Sequence, residues 1–383
     1  MDSQQAETNG IMQRIEQRVK VAREAQGLSK SDLARQVCSN SPQTISFLEG
    51  RSHNLTANEL LVVAEKLGKP LEYFTDPFLL VGEGKFSWRQ KNVSEAELRA
   101  YEEKAGRWIA AFCYLAPQVV EEHNKNPKTH TKLDLSKKSQ YENARSAGER
   151  MAADWNLGDC PARELVNQIE QKTDILVLMV DASEGISGAA CHLPQLDTIL
   201  IERNEVPWRR HFDLAHELFH VLTWQTMPPE YSEDNDSSGG NRVEQLANEF
   251  AAGLLIPPNA LQRFYDKKHL RGWDLAAELN QIANELQVSA ESLQWRLVNR
   301  GDLSLEAVKT LPEQALRYNG HIGRENIPDE RPRLFSSRFI RVMKQALDKG
   351  LISAGRLASL LDLNFDNLND LFLQYDIDGK IEL

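Results

Sequence analysis

The stretch "HELFH", residues 216–220, sets two imidazoles four residues apart with a carboxylate beside the first. On a helix, His216 and His220 project from one face about a turn apart. Two imidazoles so placed can share one Zn2+, and Glu217 then stands beside the metal as base for an attacking water. The flanking residues Phe212, Leu214, Ala215, Leu218, Phe219, Val221, Leu222 and Trp224 are apolar on nearly every side. A helix of that kind belongs inside a protein, where each polar group needs a partner. A metal would satisfy both histidines. Two core or surface histidines bonded to neighbours are the alternative.

A catalytic zinc site wants a third protein ligand and an open position. The run "RVEQLANEFAAGLLI" supplies Glu244, which shares a helical stripe with Asn248, Ala251 and Ala252. Leu246, Ala247, Phe250 and Leu254 lie near that stripe, so a carboxylate there is expensive without a cation. A solvated glutamate at a helix start is the alternative, and Glu249 and Glu230 compete for the ligand role. Asn248, one turn on, is placed to orient a ligand from outside the coordination sphere. His192, His211, Tyr231 and Arg209 are candidates to stabilise an oxyanion, and none stands out.

These residues need a scaffold, and the patterning predicts one. Two helices, "ENARSAGERMAADWNLG" and "PARELVNQIEQKT", precede three strands, "DILVLMVD", "ISGAACHL" and "DTILIER". The apolar helix then begins near Pro207. "MPPEYSEDNDSSGGN" reads as a mobile polar loop, and the following helix stops at Pro257-Pro258. Upstream, "FLLVGEGKFSWRQ" holds a short strand, and the helix from "SEAELRAYEEK" onward is interrupted at Pro117. "NKNPKTHTKLDLSKKSQ" has the composition of a linker. The remainder is helical; "ISAGRLASLL" and "NFDNLNDLF" have a helix-turn-helix rhythm but few basic residues, which favours packing or partner binding.

Residues 11–75 form a separate run of short helices. "IMQRIEQRVKVAREAQ" ends at Gly27, "SKSDLARQV" opens on a serine cap, "SNSP" is a turn, and "QTISFLEG" is a third helix. The chain carries a formal charge of −11, yet residues 11–75 hold nine Lys/Arg against seven Asp/Glu, 9 − 7 = +2. A slightly basic head on an acidic body can bind DNA through one face. At 383 residues, with 41% hydrophobic and 26% charged residues, the expectation is two or three globular domains. The start "MDSQQAETNG" lacks signal-peptide regions, no apolar run approaches a membrane span, and the four cysteines form no CxxC pair. A cytoplasmic protein with no membrane contact is expected.

"RRHFDLAHELFHVL" followed by "EQLANEFAAGLLIPP" resembles the ImmA/IrrE family of metallopeptidases over roughly residues 142–300. The resemblance implies a zincin-like α+β fold, His216, His220 and Glu244 as zinc ligands, and Glu217 as general base. Many members carry Gly where this chain has Phe219, and a ring there is expected to narrow the cleft beside the metal. "LSKSDLARQVCSNSPQTISFLEGRS" resembles the Xre, or lambda-repressor-like, helix-turn-helix family. That likeness places Gln43, Thr44 and Ser46 at base edges and Asn40, Ser41 and Arg51 at the DNA backbone. A five-helix protein-interaction module is the alternative for the head.

The expected architecture is multidomain and mainly α. It comprises a helix-turn-helix domain (11–75), a helical connector and linker (76–141), a central α+β peptidase-like domain with a small sheet (142–300) and a C-terminal helical region (301–383). The resemblances imply a regulator of operator DNA, acting as a homodimer, whose zinc peptidase cuts a repressor or antitoxin under DNA damage, phage attack or another stress. A non-catalytic repressor or antitoxin using the peptidase fold as sensor or dimer platform is the other reading.

Overall fold

The computed structural model describes residues 3–37, 56–119, 133–234, 241–328 and 331–377. The chain divides into two units, residues 1–84 with 103–114, and residues 85–102 with 115–383. In the first, helices Ser3–Ala25, Lys30–Val37, Ala57–Lys66 and Leu71–Thr75 enclose a core of Ile15, Val19, Ala22, Leu33, Ala34, Leu60, Val63, Ala64, Leu67 and Phe74. Reciprocal caps fix two helix starts. Asp32 N donates to Ser29 Oγ at 3.1 Å while Ser29 N donates to Asp32 Oδ2 at 3.1 Å, and Thr56 with Glu59 repeats the arrangement. The buried Arg18 donates to the carbonyls of Tyr73, Asp76 and Leu79, holding the segment that leaves the helices. Residues 38–55 lie outside the described residues, and with them the reading of "QTISFLEG" as a helix and the six DNA-contact candidates Asn40, Ser41, Gln43, Thr44, Ser46 and Arg51.

The second unit is built on a five-stranded sheet. Its strands are β1 (Lys85–Gln90), β2 (Leu176–Val180), β3 (Ile186–His192), β4 (Asp197–Glu202) and β5 (Ser232–Asp234), in the order β2-β4-β3-β1-β5. The pairs β2/β4 and β1/β5 are parallel, β4/β3 and β3/β1 antiparallel. The run LVLMV of β2 is buried at all five positions, as expected of a strand covered on both faces. One expectation is corrected here. Part of the polar loop after the apolar helix is a strand: Trp88 N donates to Tyr231 O at 2.9 Å and Gln90 Nε2 to Ser232 Oγ at 3.1 Å. Backbone pairing with β1, invisible to hydrophobic periodicity, is what orders it.

Helices Pro161–Lys172 and Pro207–Thr223 pack on the sheet, Arg242–Leu255 packs against Pro207–Thr223 and Tyr141–Asp154, and Gly272–Leu286 and Ala290–Arg300 follow. Leu214, Leu218, Ile199, Ile201, Leu246, Phe250 and Leu254 share their core. Helices 141–154 and 242–255 approach closely because Gly148 and Gly253 lie in the contact. A Cβ on Gly148 would overlap the Phe250 carbonyl oxygen, and one on Gly253 the Arg145 carbonyl oxygen. The helix Glu95–Val119 runs through Pro117 rather than stopping there. A proline so near the end removes a hydrogen bond of the terminal turn alone. Helices Ser337–Asp348, Ala354–Leu361 and Phe365–Gln374 close the chain, and the segment before them joins β2 through Phe335 N donating to Met179 O at 2.6 Å. Among the described residues, no helix is long and apolar enough to cross a membrane.

Candidate metal centre

Pro207 opens the HExxH helix at its first position, where its missing N–H costs nothing, after an extended Val206. From Asp213 to Val221 every residue is buried, because the helix packs on β3 and β4 and also against helix 242–255. Gly188 on β3 faces Glu217: a Cβ there would make an ordinary contact with Glu217 Cγ at 3.7 Å and a tight one with Leu200 O at 3.1 Å. Phe219 corrects a further expectation. It is wholly buried, with its ring 5.6 Å from that of Phe250 and edge-on to the His220 ring at 5.8 Å, so it is core packing against a ligand candidate and not an exposed ring.

Glu244 reaches the histidines from the first turn of helix 242–255. Asn241 caps that helix by accepting from Val243 N at 2.7 Å, and a carboxylate in a first turn suits the positive end of the helix dipole. The helix start is tied down from outside. Arg242 donates to Lys137 O and Ser139 O, both at 2.7 Å, and Tyr141 bonds Gln245. Glu249 is engaged by Arg145 at 2.7 Å, and Glu230 accepts from Asn241 Nδ2 at 3.3 Å.

His216 Nε2 lies 2.9 Å from His220 Nε2 and 3.1 Å from Glu244 Oε2, and His220 Nε2 lies 3.4 Å from Glu244 Oε1. One ligand atom from each residue falls within 4.8 Å of the other two. Asn248 Oδ1 is 2.9 Å from His216 Nδ1, so that nitrogen carries the proton and Nε2 turns its lone pair to the cluster. Burial, reinforced by the charge of Arg89, pushes the His216 imidazole down to about 3. A neutral imidazole therefore faces a second imidazole nitrogen and a carboxylate. The three groups lie within hydrogen-bond reach of one another, and two imidazole nitrogens with one carboxylate are the N2O donor set of catalytic zinc. The residues fit a divalent metal.

Glu217 is 1% exposed, and its Oε1 meets no hydrogen-bond partner among the described residues. Burial pushes its carboxyl up to about 7, opposed by the charges of His220 and Arg89. A buried carboxyl titrating near neutrality, with Oε1 unbonded among the described residues, is suited to moving a proton.

The oxyanion candidates separate. His192 Nδ1 is 2.6 Å from Asp197 Oδ1 and its ring stacks on Trp224; Tyr231 is 43% exposed. His211 bonds Gln287 O at 3.2 Å and is held neutral by burial, its pKa down at about 4. Arg209 pairs with the fully buried Asp213 at 3.1 Å. Arg89, which sequence reasoning missed, pairs with the other oxygen of Asp213 at 3.0 Å from β1. Its one sequence signal is an arginine that directly follows the buried Phe86, Ser87 and Trp88 in the strand KFSWRQ.

Comparison with known families agrees with this geometry. Residues 170–298 match the family model of the IrrE N-terminal-like domain, and residues 19–74 match the helix-turn-helix model. No curated protein matches the chain. The chain thus carries a region similar to a helix-turn-helix domain ahead of one similar to the IrrE N-terminal-like domain, and the second holds the His216–His220–Glu244 cluster.

Proposed function

We propose that the chain is a cytoplasmic, DNA-binding transcriptional regulator whose central domain is a zinc-dependent peptidase that cleaves a repressor or antitoxin under stress. The observation that carries this reading is the convergence of His216 Nε2, His220 Nε2 and a Glu244 oxygen beside an unpartnered Glu217 carboxyl. Zinc held by those three residues supplies Lewis acidity, polarising the scissile carbonyl and easing deprotonation of a water. Glu217 takes the proton from that water as its oxygen bonds to the carbonyl carbon. The same carboxyl returns a proton to the amine nitrogen as the C–N bond breaks. Asn248 holds His216 in the tautomer that leaves Nε2 free to bind.

In the head, Gln43, Thr44 and Ser46 read base edges and Asn40, Ser41 and Arg51 hold phosphates, a homodimer matching two half-sites. Domain limits of 11–75, 76–141, 142–300 and 301–383 go with this reading. The test is a trap. The Glu217→Gln variant is expressed with an affinity tag in the native host, and the proteins it retains are incubated with the zinc-loaded parent. Mass spectrometry should find new termini in a retained DNA-binding protein or antitoxin with the parent and none with the variant. Retained proteins left intact by the parent would favour the non-catalytic reading.

A further inference from the structure

Arg89 stands beside the metal centre with no part in the reaction as described. It lies on β1 opposite Gly188 of β3, the glycine that faces Glu217. Opposed residues of an antiparallel pair share a sheet face, so Arg89 stands on the face that carries the HExxH helix. There its guanidinium carbon is 5.8 Å from the Phe212 ring centroid, and that ring is 6.2 Å from the His216 ring. Nε pairs with Asp213 at 3.0 Å, and Asp213 is gripped from its other oxygen by Arg209 at 3.1 Å. The buried carboxylate therefore holds the Arg89 guanidinium by charge, without a hydrogen bond between Nε and Oδ1. Among the described residues Nη1 and Nη2 make no hydrogen bond and stay open to solvent, although the side chain is just 13% exposed. Charged donors that reach solvent from a mostly buried side chain can receive an oxygen that the protein itself does not supply. The charge of Arg89 also reaches both His216 and Glu217.

We propose that Arg89 is a catalytic residue, its Nη donors binding the scissile carbonyl oxygen and the negative charge that oxygen gains on attack, with Asp213 as its positioning residue. The inference rests on the peptidase reading. As the water oxygen bonds to the carbonyl carbon, the C=O π pair moves onto oxygen, and two charge-assisted N–H donors face it. Arg89 stays protonated throughout and is unchanged when the C–N bond breaks. The other candidates are less suited: His192 and His211 have protein partners, Tyr231 is exposed, and Arg209 is 41% exposed.

The test uses the full-length zinc-loaded protein and two probes. One is an N-acetylated alanine phosphonate dipeptide, whose tetrahedral anion imitates the charged oxygen. The other is the mercaptoacyl dipeptide of the same sequence, which presents sulfur to the metal and no oxyanion. Arg89→Gln alone would strand the Asp213 charge, so it is paired with Asp213→Asn to leave a neutral pair, and Arg89→Lys is measured beside it. The double variant should bind the phosphonate about thirtyfold more weakly by calorimetry, as for the loss of a charge-assisted bond. Its thiol affinity should stay within about threefold of the parent with zinc content unchanged, and Arg89→Lys should fall between. An unchanged phosphonate affinity, or an equal loss for both probes, overturns the assignment of Arg89, as does a zinc-loaded parent that ignores the phosphonate. A parent that takes up no zinc overturns the peptidase reading instead, and Arg89's role with it.

Discussion

Replacing Glu217 with Gln should stabilise the metal-free protein while ending its chemistry, and the size follows from burial. The carboxyl is 1% exposed and is pushed from its ordinary 4.5 up to about 7. Each pKa unit is worth ~1.4 kcal/mol, so holding Glu217 ionised in the fold costs on the order of 3 kcal/mol. Because the folded pKa is raised, the stability contributed by the protonated carboxyl is complete below pH 4.5 and is lost as the pH rises through 7. Glutamine has the same shape and no proton to lose. Urea unfolding of chelator-stripped protein should therefore show Glu217→Gln equal to the parent near pH 4.5 and about 3 kcal/mol more stable at pH 8. Zinc should narrow the gap, since a neighbouring dication favours the carboxylate. Equal stabilities at pH 8, or a less stable variant, would refute the reasoning.

Two further outcomes follow from the shells around the site. Asn248→Ala removes the acceptor that sets the His216 tautomer and should weaken zinc binding about 10- to 100-fold in a chelator competition; an unchanged affinity would show that Asn248 does not orient the ligand. Gly253→Ala drives a methyl into the Arg145 carbonyl and should cost about 1–3 kcal/mol in urea unfolding. It should also lower zinc affinity by shifting the helix that carries Glu244. Full stability would mean the two helices part without cost.

The parts of the site that were legible in the sequence are those that local periodicity encodes. His216 and His220 share a helix face by their spacing, and the apolar residues around them announce a buried helix whose polar members need a partner. Glu244 was legible for the same reason, as a carboxylate on a stripe of core residues. The strands β2, β3 and β4 and the helix stop before Pro257 read equally well from apolar runs and breakers. What escaped depends on contacts between distant segments. Arg89 comes to the HExxH helix through the register of β1 on β3, and nothing local to KFSWRQ specifies that partner. Gly148 and Gly253 look like ordinary helix glycines until their helices meet. Phe219 is adjacent to a metal-binding candidate in sequence, yet the helical turn sends its ring to Phe250. The polar segment at β5 is ordered by backbone pairing, which leaves no mark on side-chain pattern.

The most direct test of the account is zinc per chain, measured by mass spectrometry in the purified parent and in Glu244→Gln, with folding of both checked by thermal melting. The account predicts about one zinc per parent chain and much less in a folded Glu244→Gln. A folded parent that holds no zinc even after loading would contradict it, because His216, His220 and Glu244 would then serve one another and not a metal.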